Sequence, residues 1–414
     1  MMKTLAVLSL AALSLSVPGA AAPDPVAAPA AAPIPRGTEI RVNTSTVVSH
    51  FLPRVAVFAD GGFVVVWTSS NGVRARFFDR QGKPSTGERP LGLGIGGYVN
   101  QVAADGDGSF LVVWTGSTPV RPSLNIYVRR FNRDGTPRGK AIRANDPSPS
   151  DRYDAVASVG RDGRFAVAWR SAVPLGALPD DGSYTDAVGR IFKASGVAAT
   201  PEILLRQGEG PTAAGDDTIN VFPTSLALAP DGTLTALVHD TDCHRNYLVR
   251  RPPSGGPGTL QLLGSPYCGP GLPGSSLAMG IDGSLVATWV DDSVTAQRFA
   301  PGGAPRGPYF TVSQNALNSQ TDAAVALQAG GTFVVTWTDR DGRDGDGKGV
   351  YGRAFAANGT PRTGDFRINV TTAANHYAPA IAAARQGPMV VVWTQQAAES
   401  GRSDIFARVL SAGD

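Results

Sequence analysis

"GTFVVTWTD", residues Gly331–Asp339, is typical of a short buried strand that follows a tight turn and contains a tryptophan. Near-copies of this stretch occur at seven places along the chain. In each copy a glycine lies two residues before a large apolar residue, and a tryptophan follows four residues later, except that the fourth copy has Val238 there. The copies begin at Gly61, Gly108, Gly163, Gly232, Gly283, Gly331 and Gly387. The six tryptophans of the chain all occupy this position: Trp67, Trp114, Trp169, Trp289, Trp337 and Trp393.

The sequence around each copy repeats as well. An alternating strand such as "PRVAVFAD" precedes the glycine, and Asp-Gly between two strands predicts a hairpin whose central residues both have positive φ. A third strand follows, and a fourth short strand such as "DFRINV" ends the unit. Four antiparallel strands in roughly fifty residues are one blade of a β-propeller. We expect the tryptophans to fill the gaps between blades, and the arginines of the third strand to pair across blades. Those arginines are Arg76, Arg129, Arg190, Arg353 and Arg408.

The two ends of the chain predict a closed ring. The seventh copy ends without a fourth strand, whereas "TEIRVN", Thr38–Asn43, matches the fourth-strand pattern and precedes the first copy. This N-terminal strand is therefore expected to complete the last blade, which leaves no open edge in the ring. The prediction is an all-β, seven-bladed propeller over residues 38–414, with four antiparallel strands in each blade.

Composition and the N-terminus predict an exported protein. The net charge of +3, from 37 basic and 34 acidic residues, gives no reason to expect nucleic acid as a partner. Residues 1–22 combine Lys3, a short apolar run and small residues, which is typical of a secretory signal peptide, and residues 23–37 are an Ala/Pro-rich linker. We expect a monomer that is secreted, periplasmic or on the cell surface, with no membrane insertion.

The repeats resemble those of uncharacterised secreted bacterial β-propeller proteins with tryptophan-containing repeats. The shared phrases are "DGGFVVVW" and the pattern "RFDxxGxPxG". The resemblance covers residues 38–414 and implies the fold and export. It implies no activity, because that group has no common catalytic or binding residues.

The loops divide into two sets that lie on opposite faces of a propeller. Turns between strands one and two, and between three and four, are short and uniform, whereas the remaining loops and crossovers vary widely in length. Because binding residues concentrate on variable loops of a rigid scaffold, the variable face is the expected site. Cys243 and Cys268 both map to this face in the fourth blade, so we expect a structural disulfide between them.

The loop "TDRDGRDGDGKG" after the sixth copy is rich in acidic residues. Asp339, Asp341, Asp344 and Asp346 fall in one glycine-rich segment. Calcium prefers a flexible cage of carboxylates and carbonyls, which this loop supplies in part, although it does not match an EF-hand. The alternative is a solvated hairpin loop in which Arg343 and Lys348 offset the charge. No cofactor is required by either interpretation.

Two of the four histidines occupy the same repeat position. His50 in "SHFLP" and His376 in "NHYAP" belong to blades one and seven, which are neighbours in a closed ring. They are candidates for metal ligands or an acid/base pair, or are hydrogen-bonded residues inherited from one ancestral repeat.

Two functions are consistent with these features. The first is a non-catalytic propeller that binds a glycan, a protein or a cell-wall component through its variable face. The alternative is an extracellular polysaccharide hydrolase or lyase, for which His50, His376, Asp339 and Asp341 are the first candidates. The motifs typical of zinc proteases and serine hydrolases are missing from the sequence, which favours the first function.

Overall fold

The computed structural model describes residues 34–93, 97–118, 121–174, 183–210, 218–241, 244–254, 256–264, 274–315, 319–345, 347–397 and 401–411. All regular elements within these ranges are β-strands. None of the described residues forms a helix with the length and apolar character needed to span a bilayer.

Twenty-eight described strands form seven four-stranded antiparallel sheets, which are the blades of a propeller. The first strands are β2 (His50–Val57), β6 (Tyr98–Ala104), β10 (Arg152–Val159), β14 (Val221–Leu228), β18 (Ser276–Met279), β22 (Gln320–Leu327) and β26 (Asn375–Ala383). The second strands are β3 (Phe63–Ser69), β7 (Phe110–Thr118), β11 (Phe165–Pro174), β15 (Leu234–Asp240), β19 (Leu285–Val290), β23 (Phe333–Asp339) and β27 (Met389–Gln396). The third strands are β4 (Gly72–Phe78), β8 (Arg121–Phe131), β12 (Ser183–Phe192), β16 (Asn246–Arg251), β20 (Val294–Phe299), β24 (Gly349–Phe355) and β28 (Ser403–Ser411). The fourth strands are β5 (Arg89–Pro90), β9 (Pro137–Arg143), β13 (Ile203–Arg206), β17 (Thr259–Leu263), β21 (Phe310–Thr311), β25 (Phe366–Arg367) and β1 (Ile34–Arg41).

The ring is closed by the N-terminal strand, as the sequence predicted. β1 pairs antiparallel with β28, so it supplies the fourth strand of the seventh blade. β1 begins at Ile34, four residues before the predicted start at Thr38, because residues 34–36 pair with the end of β28 beyond an irregularity in the register. Each first strand contacts the first strand of the next blade, and β26 contacts β2. The first strands therefore surround a central channel.

The turns between first and second strands differ from the predicted type. In the first blade Phe58 N donates to Gly62 O at 2.7 Å and Gly61 N donates to Phe58 O at 2.9 Å. Gly61 has a φ of +88°, whereas Asp60 does not have a positive φ. A type I turn followed by a left-handed glycine gives this geometry, so the expectation of positive φ at both central residues was wrong. The Asp60 carboxylate instead accepts a hydrogen bond from Gly62 N at 3.0 Å.

Five of the six tryptophans fill the gaps between blades, which confirms the prediction for them, whereas Trp114 is buried against Tyr127 of its own blade. Trp393 is fully buried and packs against Val334, Val350 and Ile368 of the sixth blade. Trp67, Trp169, Trp289 and Trp337 are likewise fully buried, each in a cluster shared with the preceding blade. The gap between the third and fourth blades is filled differently, because Val238 packs there with alanine, isoleucine and leucine residues of the third blade.

The repeated arginines connect neighbouring blades through the backbone. Arg353 Nη1 donates to Val312 O at 2.7 Å, and Val312 directly follows the fourth strand of the preceding blade. Arg76, Arg190 and Arg408 donate to the equivalent carbonyls of Val42, Ala144 and Ile368 at 2.7–2.9 Å. Arg129 differs, because its Nε donates to Gly139 O of its own blade at 2.9 Å. The prediction of pairing across blades is thus confirmed at four positions.

Carboxylates near the fourth strands hold the crossovers between blades. Glu88 of the first blade accepts hydrogen bonds from the Thr44 hydroxyl at 2.8 Å and from Ser45 N at 3.2 Å. Glu39 accepts equivalent bonds from Thr371 N at 3.3 Å and from its hydroxyl at 3.1 Å. These contacts hold the two crossovers beside the starts of β2 and β26.

We call the face with the uniform turns the turn face and the opposite one the loop face. The hairpins of the second and third blades extend furthest on the loop face. β11 and β12 pair over ten residues, from Phe165 with Phe192 to Pro174 with Ser183, whereas β23 and β24 pair over seven. Three extra residues add about 10 Å of height. These two hairpins therefore form a wall on one side of the loop-face entrance.

Candidate ligand site at the channel mouth

His50 is a structural residue of the first blade. It is 1% exposed; its Nδ1 accepts a hydrogen bond from Trp67 Nε1 at 3.0 Å, and its Nε2 lies 3.0 Å from Ser45 O. A neutral imidazole with its proton on Nε2 satisfies both contacts. A ligand on the loop face does not reach this ring.

His376 occupies the equivalent place in the seventh blade and is also buried, at 0% exposure. Its Nε2 lies 3.3 Å from the Thr371 hydroxyl, and its Nδ1 lies 3.3 Å from Lys348 O and 3.7 Å from Asp344 Oδ2. Burial lowers the pKa of His376 below its ordinary value, although Asp344 acts in the opposite direction. Each histidine is thus enclosed by the crossover that precedes its own blade.

The acidic loop of the sixth blade is only partly exposed. Asp339 and Asp344 are buried, Asp341 is exposed, and Asp346 lies outside the described residues. Asp339 Oδ1 accepts a hydrogen bond from Asp341 N at 3.1 Å. Burial raises the pKa of Asp339 above its ordinary value, and the charges of Asp341 and Asp344 add to this effect. Arg343 directs its Nη1 toward Asp365 at 2.9 Å.

The predicted metal site and the predicted disulfide both include residues outside the described ranges. No group of three histidine, cysteine, aspartate or glutamate side chains comes together as a metal site in the described ranges. Cys243 and Cys268 both lie outside those ranges, so their disulfide stays a prediction.

The feature that the sequence analysis missed is a set of aromatic residues on the innermost strands. Each lies opposite the residue that follows the tryptophan position, as Phe51 pairs with Thr68 and Tyr377 with Thr394. All five are at least partly exposed, and Phe51 is 37% exposed. They are Phe51, Tyr98, Tyr153, Phe222 and Tyr377, which we call the mouth aromatics. Since the first strands begin at the loop face, these side chains surround the channel mouth.

A spacing in the sequence would have located the mouth aromatics. Each lies sixteen residues before the tryptophan position of its own repeat, as Phe51 precedes Trp67 and Phe222 precedes Val238. In the sixth blade the same position holds Thr321. The signal is weak in one repeat and clear only when the repeats are aligned on their tryptophans.

The third and fourth blades also differ at the residue after the tryptophan position. Thr68 and Thr338 hold this place in the first and sixth blades, and their hydroxyls accept hydrogen bonds from Val99 N at 3.0 Å and Ala378 N at 3.2 Å of the next blade. The third blade has Arg170 and the fourth has His239 instead. A charged or titratable side chain at these places is not needed for the repeat, so it points to a local role.

Arg170 lies between two of the mouth aromatics. Its guanidinium carbon is 5.0 Å from the ring centroid of Tyr153 and 5.2 Å from that of Phe222, which are cation–π distances. Its Nη1 is 3.6 Å from Asp154 Oδ2. The ring of His239 is 5.3 Å from Phe222.

The polar groups of the mouth are modified by their surroundings. Burial raises the pKa of Tyr98 above its ordinary value, and the nearby Asp154 carboxylate adds to this effect. Burial lowers the pKa of His239, so its neutral form is favoured. A neutral imidazole, a phenol, a guanidinium and a carboxylate thus lie among aromatic faces beside the wall formed by the tall hairpins. This combination is suited to binding a ring-shaped polar ligand.

A separate cavity of about 420 Å³ lies at the turn-face end of the channel. Its lining mixes apolar residues such as Leu226, Leu277 and Met279 with the charged residues Arg161 and Asp162. The loop-face mouth is the stronger candidate for a specific site, because it has aromatic rings beside its charged side chains, whereas none of the described residues that line this cavity is aromatic.

The comparisons with known proteins bear on the fold. No family model matches the chain, and no curated protein matches it. Among solved structures it is similar to a protein of unknown function from Dyadobacter fermentans, with a TM-score of 0.52 and 13% identity, over 93% of this chain and 100% of that one. The likeness shows the fold alone.

Two glycosidases are less similar in structure. One is the NanB sialidase of Streptococcus pneumoniae, with a TM-score of 0.49 and 8% identity over 84% of this chain and 83% of that one. The other is the α-L-arabinanase of Penicillium chrysogenum, with a TM-score of 0.44 and 11% identity over 91% of this chain and 99% of that one.

Proposed function

We propose that the protein binds a carbohydrate at the loop-face mouth of its channel, without cleaving it. The observation that carries the proposal is the set of mouth aromatics at one position in five blades. The C–H faces of a sugar ring pack against aromatic rings, and its hydroxyls bond to side chains at the edges of those rings. Arg170, Asp154 and Tyr98 supply such groups between the rings.

A carbohydrate fits this mouth better than a protein partner does. Protein interfaces have a continuous apolar centre, whereas the charged Arg170 lies between two of the mouth aromatics, with Asp154 beside it. The proposal also assumes export, which residues 1–22 predict. The polysaccharide hydrolase alternative needs acid and base groups in contact with substrate. Three of its four candidate residues, His50, His376 and Asp339, are buried, and only Asp341 is exposed.

Substitutions in the third and fourth blades test the proposed carbohydrate site. Tyr153→Ala and Phe222→Ala remove the two rings on either side of Arg170, so each is expected to weaken carbohydrate binding about tenfold or more, equivalent to about 1.4 kcal/mol. Affinity electrophoresis in gels that contain soluble polysaccharides both finds the ligand and measures the loss. Arg170→Ala is expected to weaken binding as well, because its guanidinium lies between both rings.

Tyr309→Ala is the matched control, because Tyr309 is an exposed tyrosine directly before the outer strand β21 of the fifth blade. It is expected to bind like the unaltered protein. If the polysaccharide gel retards all four variants as strongly as the unaltered protein, the carbohydrate does not bind at the mouth aromatics. Release of reducing sugar that the Tyr153 and Phe222 variants lose would instead support the hydrolase.

A further inference from the structure

Two buried carboxylate oxygens in the sixth blade have no hydrogen-bond partner among the described residues. They are Asp339 Oδ2 and Asp344 Oδ1, and both side chains are 0% exposed. A buried carboxylate oxygen without a partner is costly, so such a pair indicates a ligand or water that is part of the folded protein.

The Asp339 and Asp344 carboxylates both lie beside Gly349, where the loop between β23 and β24 joins the two strands. Asp339 pairs with Gly349 at the end of the ladder, and the Asp344 carboxylate lies directly over Gly349, where an added Cβ would be 2.9 Å from Asp344 Oδ2. Gly342 and Gly345 have φ of +67° and +112°. These left-handed residues turn the loop back on itself and bring Asp344 to the strand end.

The protein offsets the charge of the two carboxylates only in part, through an ion pair between Arg343 and Asp339. Arg343 Nη1 bonds to Asp365 at 2.9 Å and is 3.9 Å from Asp339 Oδ2, which is too far for a hydrogen bond. His376 Nδ1 is 3.7 Å from Asp344 Oδ2. Asp341 adds a third carboxylate in the same loop, next to Asp339.

Equivalent aspartates in other blades have protein partners. Asp291 of the fifth blade lies two residues after its tryptophan, as Asp339 does, and accepts a hydrogen bond from Trp289 Nε1 at 2.8 Å. In the sixth blade neither Trp337 Nε1 nor Asp339 Oδ2 has a hydrogen-bond partner in the described part of the chain. The open oxygen is therefore a property of this blade and not of the repeat.

The same contrast holds for Asp344. Its Oδ2 accepts a hydrogen bond from Asn369 Nδ2 at 2.8 Å, as Asp404 Oδ1 of the seventh blade does from Asn43 Nδ2 at 2.7 Å. The other oxygen of Asp404 pairs with Arg41 at 2.7 Å, whereas Asp344 Oδ1 has no partner within the described ranges.

We propose that Asp339 and Asp344 bind a calcium ion in the loop between β23 and β24. Calcium takes oxygen ligands in flexible geometry and accepts loop carbonyls and water in its remaining positions. Zinc is disfavoured, because the two open atoms are both carboxylate oxygens. The ion would hold the glycine-rich loop against the crossover that carries Asn369. This site is independent of the carbohydrate site.

The test is calcium binding to the purified protein after treatment with EDTA. Isothermal titration with calcium alone is expected to show one site, and the melting temperature is expected to rise when calcium is added and to fall again with EDTA. Terbium is expected to show sensitised luminescence, because Trp337 and Tyr351 lie beside the loop. Magnesium at the same concentration is expected not to replace calcium, since it demands a smaller octahedral site.

Four substitutions locate the ion. Asp339→Asn and Asp344→Asn are expected to lower calcium affinity at least about tenfold, because each removes a charged ligand. Asp291→Asn, at the repeat position of Asp339, and Asp404→Asn, whose carboxylate makes the same contact with an asparagine as that of Asp344, are the matched controls. Both are expected to bind calcium like the unaltered protein. The proposal is overturned if the folded, unaltered protein shows no calcium heat and no terbium signal. It is also overturned if magnesium binds equally well, or if the two control variants lose as much affinity as the two site variants.

Discussion

A chain that begins at Val47, and so lacks β1, is expected to lose its cooperative folded state. β1 supplies the fourth strand of the seventh blade, and without it β28 becomes an open edge. The deletion also removes Val42, which is fully buried, and Asn43, whose Oδ1 accepts a hydrogen bond from Ile405 N at 2.7 Å. We expect the loss of about 5 kcal/mol or more, which is comparable with the whole stability of many domains.

Thermal melting followed by circular dichroism, together with size-exclusion chromatography, measures this effect. A chain that begins at Ile34 is the control and is expected to melt like the full chain, because it keeps β1. A peptide of residues 34–46 added to the shortened chain is expected to restore part of the transition. Identical melting of the Val47 chain and the Ile34 chain would contradict closure of the ring by β1.

Trp393→Ala is expected to destabilise the protein by about 3–5 kcal/mol. The indole is fully buried against Val334, Val350 and Ile368 of the sixth blade, so its removal leaves a cavity in the gap between two rigid sheets. Urea denaturation measures the free energy of unfolding, and the midpoint is expected to fall while the slope is little changed.

Two companion variants separate cavity size from polar effects at this position. Trp393 Nε1 has no hydrogen-bond partner among the described residues, so Trp393→Phe removes volume without breaking a bond and is expected to cost about half as much or less. Val238→Ala, at the same position of the fourth blade, is expected to cost about 1–2 kcal/mol. Equal costs for the three variants would show that the tryptophan does not support the gap between blades.

The fold could be predicted from the sequence because its signals repeat. The spacing from Gly331 to Trp337 recurs in six of the seven blades, and the surplus strand at Thr38–Asn43 identified the closure of the ring. The turn type was predicted wrongly, since a glycine after aspartate is compatible with several turns and only the backbone distinguishes them. The start of β1 was also misplaced, because residues 34–36 carry no fourth-strand pattern of their own.

The sites were harder to predict because their contacts join separate repeats. His50 and His376 occupy one repeat position, yet their burial depends on Ser45 and Thr371 in the crossovers, which no local pattern shows. The contact of Asp344 with His376 joins the sixth and seventh blades, and the two residues are 32 positions apart in the sequence. The mouth aromatics vary between phenylalanine and tyrosine, so they are visible only in a register set by the tryptophans.

Carbohydrate binding without cleavage is tested by a crystal structure of the complex. The ligand is an oligosaccharide of the polysaccharide that the protein binds. The proposed binding mode places an intact sugar at the loop-face mouth, with its ring packed on Tyr153 or Phe222 and its hydroxyls within hydrogen-bond distance of Arg170 or Asp154. A sugar bound instead in the turn-face cavity beside Leu277 and Met279, or a cleaved sugar at the mouth, would contradict it.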